Sequence, residues 1–389
     1  MTEWNFPERF SVGFELKATK PVKKSSHQNQ MLSNLNSTTL PENVSASQPV
    51  LLQPLPTLNE SEELKQIAEK RALVIGRLNT AKLCEIIGKK PWISISNSAY
   101  KSCEHPCISV VITMFNYSEY IYECLNSVCK SNISGLSGEI EILVIDDCST
   151  DRSASMVEGY LSISSTPICL IKKCFNTGLA DARNIGLKAA RSSYVFILDA
   201  DNWIYPNCLS VLYNKIKFSS YAAVYGIIRK FDNQTKKEVS LVSCEEWNVQ
   251  RLVKAPYIDA MAMINKDIVL KVGGYSTELI EYGWFGWEDY DLWLKLAQLN
   301  YSCKLVPEVL SSYRVHSSSM INITDKYRLN FAIYFSKKFS DIVKEYNKLD
   351  MLFGVPRSKK QSSKFGKLRN QWFKLKKFFS LAKTQWSDL

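Results

Sequence analysis

The chain has 389 residues, 46% apolar and 22% charged, with a formal charge of +11. This composition excludes a collagen, a coiled coil and a wholly disordered chain, and the length allows two or three structural units whose core needs no disulfide staples. The charge excess is local: ten Lys and Arg lie between Arg357 and Lys383 without an acid, and residues 1–356 carry only about +2.

No apolar run approaches the ~20 residues of a membrane-spanning helix. The opening MTEWNFPERF lacks the basic, apolar, small-residue order of a signal peptide. Eleven scattered cysteines fit free thiols in a reducing compartment, so a cytoplasmic location is expected. Residues 1–60, rich in Ser, Asn, Gln, Thr and Pro, are expected to be disordered. A short helical extension is expected over 61–105, as one or two amphipathic helices ending in a Pro-containing loop.

Strand and helix then alternate. Ile108–Met114 reads as a buried strand, 120–130 as a helix, and 140–145 as a second strand. A helix over 153–162, a strand over 168–172, a helix over 179–190 and a strand over 194–198 follow. Such alternation implies right-handed crossovers and a mainly parallel sheet covered on both faces. Ligands of these sheets bind beyond the carboxyl ends of the strands, where Asn116, Asp146, Asp147, Asp199 and Asp201 fall. Past Asp201 the pattern changes. A helix is expected over 208–216, antiparallel strands over 222–231 and 238–242, and a short strand over 260–264. Helices are expected over 266–272 and 290–299, and a long one over 325–346.

Four motifs bear on chemistry. Two carboxylates at i and i+2 in Leu198-Asp199-Ala200-Asp201-Asn202 point to one side of a strand end and suit a hard divalent cation on a diphosphate; an isolated pair of this kind is more often a solvated turn. Asp146-Asp147 ends another strand and could accept hydrogen bonds from a base or ribose, or simply open a helix capped by Ser149 or Asp151. Glu288, Asp289 and Asp291 open an apolar-periodic helix, either as acids complementing its dipole or as a source of a general base. The aromatic run Gly283-Trp284-Phe285-Gly286-Trp287 before it serves core packing or a sugar face. His316 follows Tyr313-Arg314-Val315, and a lone His is more often structural. Cys103 to Cys107 lacks the second ligand pair of a zinc site.

Taken together, six blocks resemble the family 2 glycosyltransferases over residues 108 to about 320. They are ISVVITMFNYSEYIYECLNSV, VIDDCSTDRS, NTGLADARNIGLKAARSSYVFILDADN, INKDIVLKVGGYS, GWEDYDLWLKL and YRVHSSSM. The resemblance implies a GT-A type α/β fold: a mainly parallel nucleotide-binding sheet flanked by helices, with a smaller antiparallel acceptor-side portion, over 106–324. It implies an inverting transferase using a nucleotide-sugar, a UDP-sugar first, with Mn²⁺ or Mg²⁺ as cofactor. Thr113, Phe115 and Asn116 would lie along the nucleotide, and Asp146 or Asp147 would bind its base. Gly178 and Arg183 would frame the diphosphate pocket, and Asp199 would contact ribose or donor sugar. Asp201 would bind the metal, with Asp199 and His316 completing its contacts. Asp289 would be the base, supported by Glu288, and Trp284 and Trp287 would meet the acceptor. Two departures stand out: Asn202 replaces a frequent third acid, and Phe115 replaces a Tyr.

A C-terminal helix over 325–350 and a basic amphipathic tail over 356–389 complete the chain. In the tail Phe365, Leu368, Trp372, Leu375 and Phe379 fall at helical spacing among Lys, which suits an anionic membrane surface through 357–383. Nucleic acid is favoured by charge alone, with no recognised motif. The acceptor is expected to be a carbohydrate, a lipid-linked sugar or a protein. The competing readings are a non-catalytic sugar-nucleotide-binding or membrane-associated assembly module, and a nucleotidyltransferase, which would release pyrophosphate.

Overall fold

The computed structural model describes residues 60–283, 285–316 and 324–356. The chain divides after residue 57, and every described residue lies in the second unit. The expected disordered segment, the basic tail after 356 and Trp284 lie outside the described residues. Among those described, no helix is long and apolar enough to cross a membrane.

In chain order the elements begin with α1 (Glu60–Ile86), β1 (Trp92–Ser96), α2 (Ser98–Ser102), β2 (Ile108–Met114), α3 (Ile121–Cys129) and β3 (Ile140–Asp146). Next come α4 (Ser153–Leu161), β4 (Ile168–Lys173), α5 (Leu179–Ala189), β5 (Tyr194–Asp199), β6 (Trp203–Ile204) and α6 (Cys208–Ile216). They continue with β7 (Ala223–Asp232), β8 (Glu238–Val242), α7 (Val249–Lys254), β9 (Ala262–Asn265) and α8 (Lys266–Lys271). The last are α9 (Glu288–Gln298), β10 (Cys303–Val315), α10 (Arg328–Lys338) and α11 (Ser340–Glu345).

One sheet dominates, in the order β1-β4-β3-β2-β5-β9-β7-β10-β6, with β8 on β7. The β4-β3-β2-β5 group is parallel, and β9 joins β5 to β7 by antiparallel pairing. All seven positions of β2 and of β3 are buried, as expected of strands covered on both faces. Successive residues feed opposite cores. Val110 and Ile112 pack with α3, α4 and α6, whereas Val111 packs with α5, α9 and α10.

Three expectations are corrected. The stretch over 62–88 is one helix of 27 residues, and the loop after it contains β1, an edge strand antiparallel to β4. The long helix over 325–346 is a short 3-10 turn, then α10 and α11, parted at Phe339 (φ −110°, ψ 38°). Phe339 is fully buried there, so the kink turns both helices onto one core. The 13-residue β10 was not expected. Pro307 interrupts its apolar run, and the register with β7 slips between Val306 and Val309, which is how a strand accommodates a residue without an N–H.

Candidate active site

The carboxyl ends of β2, β3 and β5 are level: Thr113 pairs with Asp199 and Met114 with Asp146. Asp199 is held from two sides. Its Oδ1 accepts from Thr113 Oγ1 at 2.9 Å and from Arg183 Nη2 at 2.9 Å, and its Oδ2 lies 3.2 Å from the same nitrogen. Arg183 Nη1 donates to Glu288 Oε1 at 2.5 Å. Arg183 is 2% exposed and Glu288 4%. Burial opposes the guanidinium charge, but Asp199 and Glu288 outweigh it and hold its pKa well above the usual value. A buried charge survives only with such partners. This one ties the strand-end acids to the first turn of α9.

Asp201 lies in the turn after β5, 7% exposed. Its Oδ2 is 3.0 Å from His316 Nε2. Burial, and then the Asp199 charge, raise its pKa, while His316 opposes the rise. The turn is clamped to β10, since β6 pairs with Ser311 and Ser312. The clamp is reinforced by Arg314, which sequence reasoning missed. Its N–H donates to Asn202 Oδ1 at 2.9 Å, its Nε to the Asp201 carbonyl at 2.9 Å and its Nη1 to Asn233 at 2.6 Å, while Nη2 pairs with Glu123. Its guanidinium lies 4.5 Å from the Tyr120 ring centroid and 5.1 Å from that of Trp203. A buried cation two residues before His316 was the signal available.

The residues fit a divalent cation in part. Two ligands at right angles, each ~2.1 Å from a small cation, stand about 3.0 Å apart, and Asp201 and His316 stand at 3.0 Å. Asp199 is already spent on Thr113 and Arg183, which argues against it as a ligand. Among the described residues no three His, Cys, Asp or Glu side chains converge on one metal position. A pair of ligands suits an ion that keeps water and substrate phosphates in its remaining positions.

The three acids of α9 have separate partners. Glu288 faces Arg183. Asp291, fully buried, pairs with Lys338 at 2.7 Å and accepts from Ser276. Asp289 is half-buried and, among the described residues, accepts the Tyr290 N–H alone, at 2.8 Å. Burial, then Glu288 and then Asp259, push its pKa up to about 8. The helix opens at Trp287, whose left-handed backbone (φ 62°) follows Gly286 (φ 102°) and turns the chain sharply into the first turn.

Several sequence-based roles change. The Trp287 ring is 7% exposed and stacks on Phe335 at 6.1 Å, with Phe331 at 5.4 Å. It is core, not a face for an acceptor. Asp147 forms an ion pair with Lys173 at 2.6 Å and accepts the N–H groups of Thr177 and Gly178 at 3.0 and 2.8 Å. Both its oxygens latch that turn and neither faces a base. Asp146 is 2% exposed and caps Ser149 N–H at 3.1 Å. Gly178 has φ 94°, and an added Cβ would lie 2.2 Å from the Phe285 ring, so it is needed for chain path. Asn116 Oδ1 accepts from Thr150 N–H at 2.7 Å and stitches two loops together. Phe115, 41% exposed, remains open at the rim.

Residues 109–273 match the model of "Glycosyl transferase family 2". The match contains Asp199, Asp201 and Arg183 and ends before Glu288, Asp289 and His316. The chain is similar to the glycosyltransferase GlyG of Streptococcus pneumoniae, 26% identical over 37% of this chain and 46% of that one. A Haemophilus influenzae glycosyltransferase is 28% identical over 49% and 62%. The Escherichia coli enzyme WfaP, a UDP-Glc:alpha-D-GlcNAc-diphosphoundecaprenol beta-1,3-glucosyltransferase, is 26% identical over 55% and 79%. The chain thus spans about half the length of the first two relatives. The segment 109–273 is thus similar to the family 2 glycosyltransferases.

Proposed function

We propose that this chain moves a sugar from a nucleoside diphosphate sugar to an acceptor hydroxyl by single displacement with inversion. The observation that carries the reading is the Arg183 bridge from Asp199 to Glu288, which ties a strand-end acid to the first turn of α9, where Asp289 lies. A cation held by Asp201 and His316 would supply charge stabilisation to the departing diphosphate. Arg183 holds Asp199 in place through Nη2. Thr113 sets its rotamer through the 2.9 Å hydrogen bond. Asp289 takes the proton of the acceptor oxygen, because it is the α9 acid whose carboxylate is not committed to a cation. Glu288 orients that turn through Arg183.

A UDP-sugar is the first donor to try, since the WfaP name specifies UDP-Glc. The acceptor is a carbohydrate, free or lipid-linked, or a protein. The test offers UDP-glucose and UDP-N-acetylglucosamine with Mn²⁺ and follows the early product by proton NMR. An α-configured donor should give a β-configured product before mutarotation. Retention, or release of pyrophosphate, would sink the proposal.

A further inference from the structure

Asp259 is a charged group in the cleft that no motif singled out. It lies between α7 and β9. The antiparallel register of β5 and β9 pairs Val195 with Ile264 and Phe196 with Met263. Asp259 stands three residues before β9, in the loop that enters it after a bend at Ala260. The backbone there is fixed on both sides. The Asp259 N–H donates to Ser243 Oγ at 3.0 Å, and Trp293 Nε1 of α9 donates to the Ile258 carbonyl at 3.1 Å.

The side chain is fixed by one oxygen only. Met261 N–H donates to Oδ1 at 3.0 Å, and Oδ2 accepts no hydrogen bond among the described residues. Burial, then Asp199, raise its pKa to about 6, with Arg183 and Lys230 opposing. Asp259 in turn helps to raise Asp289. Burial, and then the charges of Asp259, Asp201, Asp199 and Asp289, raise the pKa of the Tyr313 phenol. Lys230 Nζ lies 5.2 Å from the Tyr313 ring centroid on the same side.

The half-buried Asp259 thus keeps one carboxylate oxygen open to a donor from outside the described residues. Asp289, the neighbour of Asp259, marks where the acceptor oxygen must come. Resting on the function proposed above, the geometry points to Asp259 as the acceptor-holding residue. Its Oδ2 accepts from the hydroxyl adjacent to the one that reacts, so the acceptor is a sugar or polyol with a vicinal diol.

The test uses Asp259→Asn, which keeps an oxygen for Met261 N–H and places an amide donor at the Oδ2 position. With the donor that the wild type turns over, a set of methyl hexopyranosides and their monodeoxy analogues serves as acceptor probes. The variant should raise acceptor KM about tenfold or more, the size expected for one charge-assisted hydrogen bond, with the loss in acceptor KM and not donor KM. Removing the neighbouring hydroxyl from the probe should weaken the wild type by a similar factor and the variant hardly at all. A rise in donor KM instead, an unchanged acceptor KM, or wild-type donor turnover with no transfer to any diol probe would each overturn the assignment. Absence of any nucleotide release by the wild type would instead strike the underlying function. A melting curve like that of the wild type shows that the variant is folded.

Discussion

Asp289→Asn should lower kcat by about 10²–10⁴, the usual worth of a general base, while leaving donor affinity within a few-fold of the wild type. The same change should raise thermal stability. Asp289 has its pKa raised to about 8 by burial, then by Glu288 and Asp259. For an acid raised in the fold, the stabilising contribution is complete below the ordinary value of about 4 and is lost as pH climbs through about 8. At neutral and alkaline pH the native carboxylate therefore opposes folding. A neutral amide removes that opposition, on the order of 1–3 kcal/mol. The two effects have opposite signs, and a merely structural Asp would not show both. The pH profile follows from the same shift. The base works only when deprotonated, so acceptor kcat/KM should fall on the acid side with an apparent pKa near 8, far above an ordinary carboxylate. Nucleotide release across pH 5–9, with melting curves of both proteins, checks each part. Unchanged kcat in the variant would remove Asp289 from the reaction.

Arg183→Met should have the largest cost to the fold. The guanidinium is 2% exposed and serves two carboxylates, Asp199 at 2.9 Å and Glu288 at 2.5 Å. Its removal leaves the buried Glu288 without a cation and the half-buried Asp199 without its partner, a loss of about 3 kcal/mol by comparison with other broken buried pairs. Arg183→Lys should rescue little, because one ammonium cannot reproduce two separate Nη contacts. Activity should fall with stability, since Asp199 and the first turn of α9 lose their common anchor. Urea unfolding measures the first effect. A midpoint equal to that of the wild type would mean that the bridge carries no weight.

The parallel part of the sheet was legible because β2 and β3 are short runs rich in β-branched residues, and both are buried at every position. The strand-end acids were legible for the same reason, since sheet topology alone places them at one rim. What failed was the assignment of partners. Nothing near Asp147 in sequence announces Lys173 as its ion-pair partner, 26 residues on and at the end of β4. Asp289 and Glu288 are adjacent in sequence, yet one faces the cleft and the other Arg183, 105 residues away. Trp287 was expected to meet the acceptor, but the aromatic face of α10 covers it. Asp259 carried no signal, because it stands alone in the loop before β9 and its charged neighbours are distant in sequence.

The account depends most directly on Asp201 and His316 gripping the metal-bound diphosphate of a donor. The decisive measurement is nucleoside diphosphate release from a panel of UDP-, GDP- and dTDP-sugars with Mn²⁺, comparing the wild type with Asp201→Asn. The wild type should release nucleotide from at least one donor and lose that activity to chelator. Asp201→Asn, although folded, should release about 10²-fold less or lower still, as when one electrostatic contact to a leaving group is removed. Equal release by both proteins, or wild-type release that ignores chelator, would contradict the account.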